Sequence, residues 1–146
     1  DFCLSRGLGD VYKRQVDSTR ALLKEKGYDS IAQVYLDSHS NMDRYAQEGS
    51  VDCITFNFGY LPGGDHNIFT TPATSIPAIE KGLKLLKPNG LMSLCVYYGG
   101  DSGFEEKDAL MDFFRTIDSK SYTVLITEFA NRPNNPPIPV FILKRI

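Results

Sequence analysis

Apolar positions in this chain fall into two alternating rhythms, and the alternation predicts its architecture. Val16 to Lys26 reads as a helix, with Ala21 and Leu22 on its apolar side and Gly27 at its end. Ile31 to Leu36 reads as a short strand, followed by the polar turn Asp37-Ser38-His39-Ser40-Asn41, rich in helix-capping residues. A weak helix follows over Met42 to Gln47, and Val51 to Phe56 is a buried strand. Ser75 to Leu86 is amphipathic, with Ile79, Leu83 and Leu86 on one face and Pro77 in the first turn, where proline is tolerated. Lys87-Pro88-Asn89-Gly90 ends it. Leu91 to Tyr97 has little polarity, as a strand buried on both faces would. Phe104 to Ile117 is a second amphipathic helix, with Leu110, Phe113, Phe114 and Ile117 inward. Tyr122 to Phe129 and Pro139 to Leu143 are the last two strands, joined by the proline-rich stretch Arg132 to Pro137.

Strands that alternate with helices and then end in two successive strands predict an α/β fold, with a mostly parallel sheet and a C-terminal antiparallel hairpin. Periodicity alone leaves flavodoxin-like and dehydrogenase-like sheets open. The chain has no GxGxxG turn between a strand and a helix, which weighs against a nicotinamide-dependent oxidoreductase.

One break in the pattern points to chemistry. The apolar run Val51 to Phe56 stops at a polar residue, Asn57, and Phe58-Gly59-Tyr60-Leu61-Pro62-Gly63-Gly64-Asp65 follows. A polar residue at the C-terminal lip of a buried strand is where ligands sit in α/β proteins. The segment from Gly59 to Thr74 is a long loop, and long loops in compact domains are often functional. Asn57-Phe58-Gly59-Tyr60 resembles a relaxed form of the Asn-Pro-Pro-Tyr motif of amine methyltransferases.

The wider string resembles the YtqB/MnmM-type class I S-adenosylmethionine-dependent RNA methyltransferases. The resemblance runs from about Thr19 to the C-terminus. It takes in Thr74-Ser75-Ile76, Ala78-Ile79-Glu80, Leu91 to Tyr97 with Gly99-Gly100, Glu106-Lys107, Asn131 and Asn134-Asn135-Pro136-Pro137. It implies N-methylation of an aminomethyl group on a modified wobble uridine of tRNA, with rRNA a less favoured substrate, and S-adenosylmethionine as cofactor. The expected setting is the cytoplasm, from the cysteine pattern, with no membrane partner and with homodimer formation open. A non-catalytic RNA-binding or scaffold protein on the same fold is the alternative.

Members of that family begin with a strand ending in a glycine-rich turn and a second strand ending in an acid; neither motif is present here. The expected fold is therefore an incomplete class I methyltransferase, Rossmann-like, with its first two strands missing. Residues 1–15 fall outside the resemblance, and Leu4 to Gln15 resembles a translated adapter sequence. The expected division is a non-native head over 1–15 and a partial methyltransferase domain over 16–146.

Site roles follow from the resemblance and from residue chemistry. Asn57, Tyr60 and Asp65 are the catalytic candidates. The Asn57 amide oxygen can accept an amine N–H without adding charge, Tyr60 can wall the pocket or stack on a base, and Asp65 can bind an aminium or hold the loop. Ser38, His39, Phe56 and Asn57 are the cofactor-side candidates. Gly59, Pro62, Gly63, Gly64, Asn135, Pro136 and Pro137 are the substrate-loop candidates. Residue type alone also permits plainer readings: a turn-capping Asn57, a packed Tyr60, a locally bonded Asp65 and a polar loop His39. Tyr98 stands where the family is expected to favour His.

Composition narrows the field further. The net charge of the 146 residues is −2, and removing the +1 head leaves −3. Whole-chain charge therefore gives no support for nucleic-acid binding, and Lys81, Lys84 and Lys87 read as a solvated helix face. No apolar run reaches the length of a membrane span. The three cysteines have no metal-ligand spacing, and Cys53 and Cys95 lie in apolar strand patterns, as buried thiols would.

Overall fold

The computed structural model describes residues 2–5, 9–58, 70–98 and 103–146. Its elements are β1 (Phe2–Ser5), α1 (Gly9–Glu25), β2 (Gln33–Leu36), a 3₁₀ helix (His39–Arg44), β3 (Val51–Phe58), α2 (Pro72–Leu85), β4 (Leu86–Val96), α3 (Gly103–Thr116), β5 (Tyr122–Ile126) and β6 (Ile138–Lys144). They form two sheets. β1 and β2 pair in parallel, and a second sheet has the order β3-β4-β6-β5. Its β3-β4 pair is parallel, and both pairs made by β6 are antiparallel. The last strand thus inserts between β4 and β5, as the resemblance implies.

The core belongs to the four-stranded sheet. One face of each strand turns inward: Ile54, Phe56 and Phe58 from β3, Met92, Leu94 and Val96 from β4, Val140 and Ile142 from β6. Ala78, Ile79 and Leu83 of α2 pack on them, with Leu110 and Phe114 of α3. Gly82 lets α2 come close, because a Cβ there would lie 2.6 Å from the Met92 Cε. Carbonyls at the end of α2 have no intrahelical partner. The Lys144 Nζ donates to the Leu86 carbonyl at 2.8 Å, and the Tyr122 hydroxyl donates to the Leu83 carbonyl at 3.1 Å.

Several sequence expectations shift. Strand β1 lies inside the segment set apart as a head, so one strand does precede α1 where both early strands were expected to be missing. Helix α1 starts at Gly9, not Val16, since neither glycine nor proline interrupts the chain between Gly9 and Gly27. Gly27 does close it, with φ 73° and its N–H bonded to the Lys24 carbonyl. Its inward side runs through Val16, Thr19 and Leu23, while Ala21 and Leu22 are exposed. Helix α2 begins at Pro72, so Pro77 sits in its interior rather than in its first turn. Lys87 to Gly90 lies within β4 as an irregularity, where pairing slips from Val51–Leu86 to Cys53–Leu91 and Asn89 takes φ 65°. Strand β4 alternates rather than burying both faces: Met92, Leu94 and Val96 are inward, and Leu91 is exposed. The same alternation leaves Cys53 exposed and Cys95 half-buried, against the expectation of buried thiols.

Candidate functional site

Register places the candidate residues at one end of the sheet. Phe58 pairs with Val96, and Val96 pairs with Ile138; one step earlier, Asn57 pairs with Cys95, and Cys95 with Pro139. Asn57 therefore stands at the C-terminal lip of β3, beside the end of β4 and next to the start of β6. Asn135, Pro136 and Pro137 lead directly into β6 and so reach the same lip. Asn134 and Asn135 take φ 65° and 51°, a left-handed pair that asparagine tolerates and that reverses the chain ahead of the two prolines. The loop is pinned behind them, where the Thr127 N–H and hydroxyl both donate to the Pro139 carbonyl at 3.0 Å.

Alternation along β3 separates the candidates on that strand. Asn57 is exposed, whereas Phe56 and Phe58 turn into the core and stack with ring centroids 4.9 Å apart. Phe56 therefore packs as a core residue and offers the site only its flank. His39 opens the 3₁₀ helix and is buried, its ring meeting Phe58 edge-on at 5.8 Å and Phe56 at 6.2 Å. His39, Phe56 and Asn57 line one groove along the outer edge of β3, with a cavity volume of about 640 Å³. Ser38 is not among the lining residues. It caps the 3₁₀ helix, accepting from the Ser40 N–H. Gly59, Tyr60, Pro62, Gly63, Gly64 and Asp65 lie outside the described residues.

Two carboxylates without an assigned site role in the sequence pattern organise the surroundings. Asp37 follows β2 and accepts from the Asn41 amide at 2.8 Å, the Tyr45 hydroxyl at 2.7 Å and the Ser38 N–H at 2.7 Å. Those three donors, the Asn41 amide first, with Arg44 at 3.5 Å, lower its pKa from 3.8 to about 2. Asp37 thus fixes the turn that delivers Ser38 and His39. Glu106, in α3, is 3% exposed. The Ser75 hydroxyl donates to its Oε1 at 2.6 Å and the Thr70 hydroxyl to its Oε2 at 2.7 Å. Thr70 is the first described residue after the Gly59 loop, so Glu106 anchors the far end of that loop to α2. A signal was present in the sequence: Glu106 lies one turn before Leu110 on the stripe continued by Phe113, Phe114 and Ile117. Tyr98 packs edge-on against Phe104 at 5.8 Å, and the Lys107 ammonium sits 5.4 Å from the Tyr98 ring centre. Lys81 and Lys87 make ion pairs with Asp43 and Asp52, both at 2.9 Å, as solvated face residues do.

Solved structures share this fold over nearly the whole of this chain. A putative rRNA-methylase from Clostridium thermocellum superposes with a TM-score of 0.87 at 37% identity, covering 98% of this chain and 75% of that one. A putative methyltransferase from Streptococcus mutans, solved in complex with SAH, superposes with a TM-score of 0.82 at 33% identity, covering 98% of this chain and 76% of that one. The fold is thus that of a class I methyltransferase, present in part. The chain belongs to the family described as "Putative rRNA methylase", whose model matches residues 9–143. It is also 34% identical over 143 residues to the chloroplastic tRNA (mnm(5)s(2)U34)-methyltransferase of Arabidopsis thaliana. That match takes in 93% of this chain and 51% of the relative, so the chain spans about half the length of the curated relative it matches.

Proposed function

We propose that this chain is part of an S-adenosylmethionine-dependent methyltransferase that acts on RNA, with the aminomethyl group of a modified wobble uridine in tRNA as its methyl acceptor. The observation that carries the reading is the row Phe58–Val96–Ile138, which gathers Asn57, the start of the Gly59 loop and Asn135 to Pro137 at one lip of the sheet. Support comes from the SAH-bound Streptococcus mutans structure and from the Arabidopsis thaliana enzyme, whose name specifies the nucleoside. In the bound state, the cofactor supplies an electrophilic methyl group on a sulfonium. The described residues fit one side of such a molecule. His39 and the flank of Phe56 offer ring surfaces and Asn57 a hydrogen-bonding group at the lip, while Ser38, outside the groove lining, caps the turn that presents His39.

Asn57 is the residue to which we assign positioning of the amine. Its amide oxygen accepts an N–H of the acceptor and turns the nitrogen lone pair toward the methyl group. Tyr60 and Asp65 shape the pocket from the loop, and Gly59, Pro62, Gly63 and Gly64 let that loop approach the nucleoside. Asn135, Pro136 and Pro137 form the opposing wall, stiffened by two prolines. Among the described residues, the free thiols of Cys53 and Cys95 suit a reducing compartment such as the cytoplasm. No helix among the described residues is long and apolar enough to cross a membrane.

The test uses this chain joined to the part of the Clostridium thermocellum relative that it does not cover. Methyl transfer to tRNA bearing 5-aminomethyl-2-thiouridine is followed by nucleoside mass spectrometry. Asn57→Ala should lower turnover about 100-fold, the order expected when reacting groups lose their alignment, with cofactor affinity unchanged. Turnover close to that of the parent would reduce Asn57 to a turn residue. Absence of methylation on any tRNA nucleoside by the parent fusion would remove the proposed substrate.

A further inference from the structure

Three side chains at the lip of the sheet have no role in the chemistry assigned so far, and they lie together. Tyr98 follows β4, two residues beyond Val96 and in phase with it, which sends its ring toward α3. There it meets Phe104, in the first turn of α3, edge-on with ring centroids 5.8 Å apart. The Lys107 ammonium lies 5.4 Å from the centre of the Tyr98 ring and 5.6 Å from that of Phe104, within cation–π range of both. The Tyr97 N–H donates to the Phe58 carbonyl at 2.9 Å, so the cluster stands just beyond the row that carries Asn57.

Docking α3 does not account for the cluster. Glu106, Leu110 and Phe114 hold that helix and are buried, whereas Phe104 is 43% exposed and Tyr98 half-buried. A single exposed ring is ordinary on a surface, but here two rings and a cation share one spot beside the candidate site. Charge narrows what that spot can bind. The chain has a net charge of −2, and α3 carries Glu105, Glu106, Asp108 and Asp112 against Lys107 and Arg115. Phosphate contacts on this side are therefore too few to hold RNA by themselves. Stacking of an unpaired base on an aromatic ring supplies affinity that needs no dense basic patch.

Building on the RNA methyltransferase reading above, we propose that Phe104, backed by Tyr98 and Lys107, is a stacking platform for an unpaired RNA base adjoining the methyl acceptor. Tyr98 lies three residues beyond Cys95, the partner of Asn57, which is about 10 Å along the chain at about 3.3 Å per residue. A base on the platform therefore belongs to a neighbour of the methylated nucleotide, not to that nucleotide itself. The edge-on Tyr98 ring fixes the Phe104 ring, and the Lys107 ammonium meets the phosphate of the stacked nucleotide. Asp108 competes for that ammonium, with its Oδ1 2.9 Å away. The Asp108 side chain is largely exposed, and an ion pair of that kind is weak enough for a phosphate to displace it.

The full 146-residue chain is titrated with a fluorescein-labelled anticodon stem-loop RNA and followed by anisotropy. Phe104→Ala should weaken binding about tenfold, the scale of one lost base stack, with the circular dichroism melt unchanged. Phe104→Leu keeps apolar bulk without a π face and should weaken binding as much, whereas Phe104→Trp should restore it. The sequence contains no tryptophan, so the emission of the Phe104→Trp chain reports on the platform alone and should be quenched as unlabelled RNA binds. Lys107→Met should lower the slope of log Kd against log salt by about 0.7, the loss of one phosphate contact on a single strand, and Asp108→Asn should tighten binding. In the fusion assay above, Phe104→Ala should raise KM and leave kcat unchanged, the opposite split to Asn57→Ala. Parent-like affinity in Phe104→Ala or Phe104→Leu would overturn the platform, as would unquenched emission from a folded Phe104→Trp chain. No RNA binding by the parent chain would overturn it too. A fusion that methylates tRNA with the same KM in Phe104→Ala sinks the platform alone, whereas a fusion that methylates no tRNA sinks the reading beneath it and the platform together.

Discussion

The sheet β3-β4-β6-β5 and the pair β1-β2 share parallel pairing and hydrogen-bond chemistry, but they differ in what holds them. The first is backed by sixteen buried apolar side chains in one cluster. Among the residues whose burial is described, the second adds Val16 and Val34 to the buried set and rests on α1, tied by the Arg20 guanidinium donating to the Val34 carbonyl at 2.9 Å. A two-stranded sheet is marginal on its own. The difference teaches that backbone pairing sets the direction of both units, while one cluster of buried side chains marks the four-stranded sheet as a folding core.

The largest effect that sharpens this contrast is a cavity. Leu94 is 1% exposed at the centre of β4. Leu94→Ala should cost about 3 kcal/mol in urea-induced unfolding, within the range for buried leucines. Val34→Ala should cost less than about 1.5 kcal/mol, since only two methyl groups are removed. Equal losses at the two positions would erase the distinction between the regions.

Glu106 gives the next effect, through polarity inside the better-packed region. Glu106→Ala leaves the hydroxyls of Thr70 and Ser75 without their shared acceptor and should cost roughly 2 kcal/mol. Glu106→Gln keeps one acceptor oxygen and should cost less. A neutral Ala substitution in thermal and urea melts would show that solvent replaces the carboxylate.

Burial explains what could be read in the sequence. α2 and α3 were legible because Ile79, Leu83, Leu110 and Phe114 repeat at helical spacing and do line the core. The hairpin of β5 and β6 was legible from the prolines and asparagines between them. Strand β4 misled because an apolar run cannot reveal whether its second face is covered, and Leu91 proved exposed. Strand β1 was invisible because four residues carry too little pattern, and pairing with β2 is a long-range event. At the site, Asn57 was legible as a polar stop after an apolar run. Asp37 was not, because its role depends on partners such as Tyr45 that only folding brings near, and Glu106 showed only its place on the inward stripe of α3, not its partners Thr70 and Ser75.

A smaller effect tests the proposed division at residue 15. If residues 1–15 are a head foreign to the domain, deleting them removes β1 and the first part of α1 but leaves the four-stranded core. The urea midpoint of that core should move by less than about 0.5 kcal/mol equivalent, the scale of changes away from packed features. A loss of several times that size would make the segment integral to the domain, with β1 supporting β2 and the 3₁₀ helix.

The smallest effect lies at the junction of the two regions, where Asp37 ties the end of β2 to the 3₁₀ helix packed beside β3. Its carboxyl titrates at about 2 in the folded chain against 3.8 ordinarily, held down by the Asn41 amide, the Tyr45 hydroxyl and the Ser38 N–H. A depressed carboxylate stabilises the fold fully above its unfolded value, and the contribution is lost as pH falls toward the folded one. Stability should therefore decline between about pH 4 and pH 2, and Asp37→Asn should make that decline shallower while leaving the neutral-pH melt only slightly lowered. The carboxyl carbon shift of Asp37, followed by NMR through the same window, checks the assignment directly. A midpoint near 4 would mean that the three donors do not hold the charge, and that the turn presenting Ser38 and His39 is set by the packing of His39 against Phe56 and Phe58 instead.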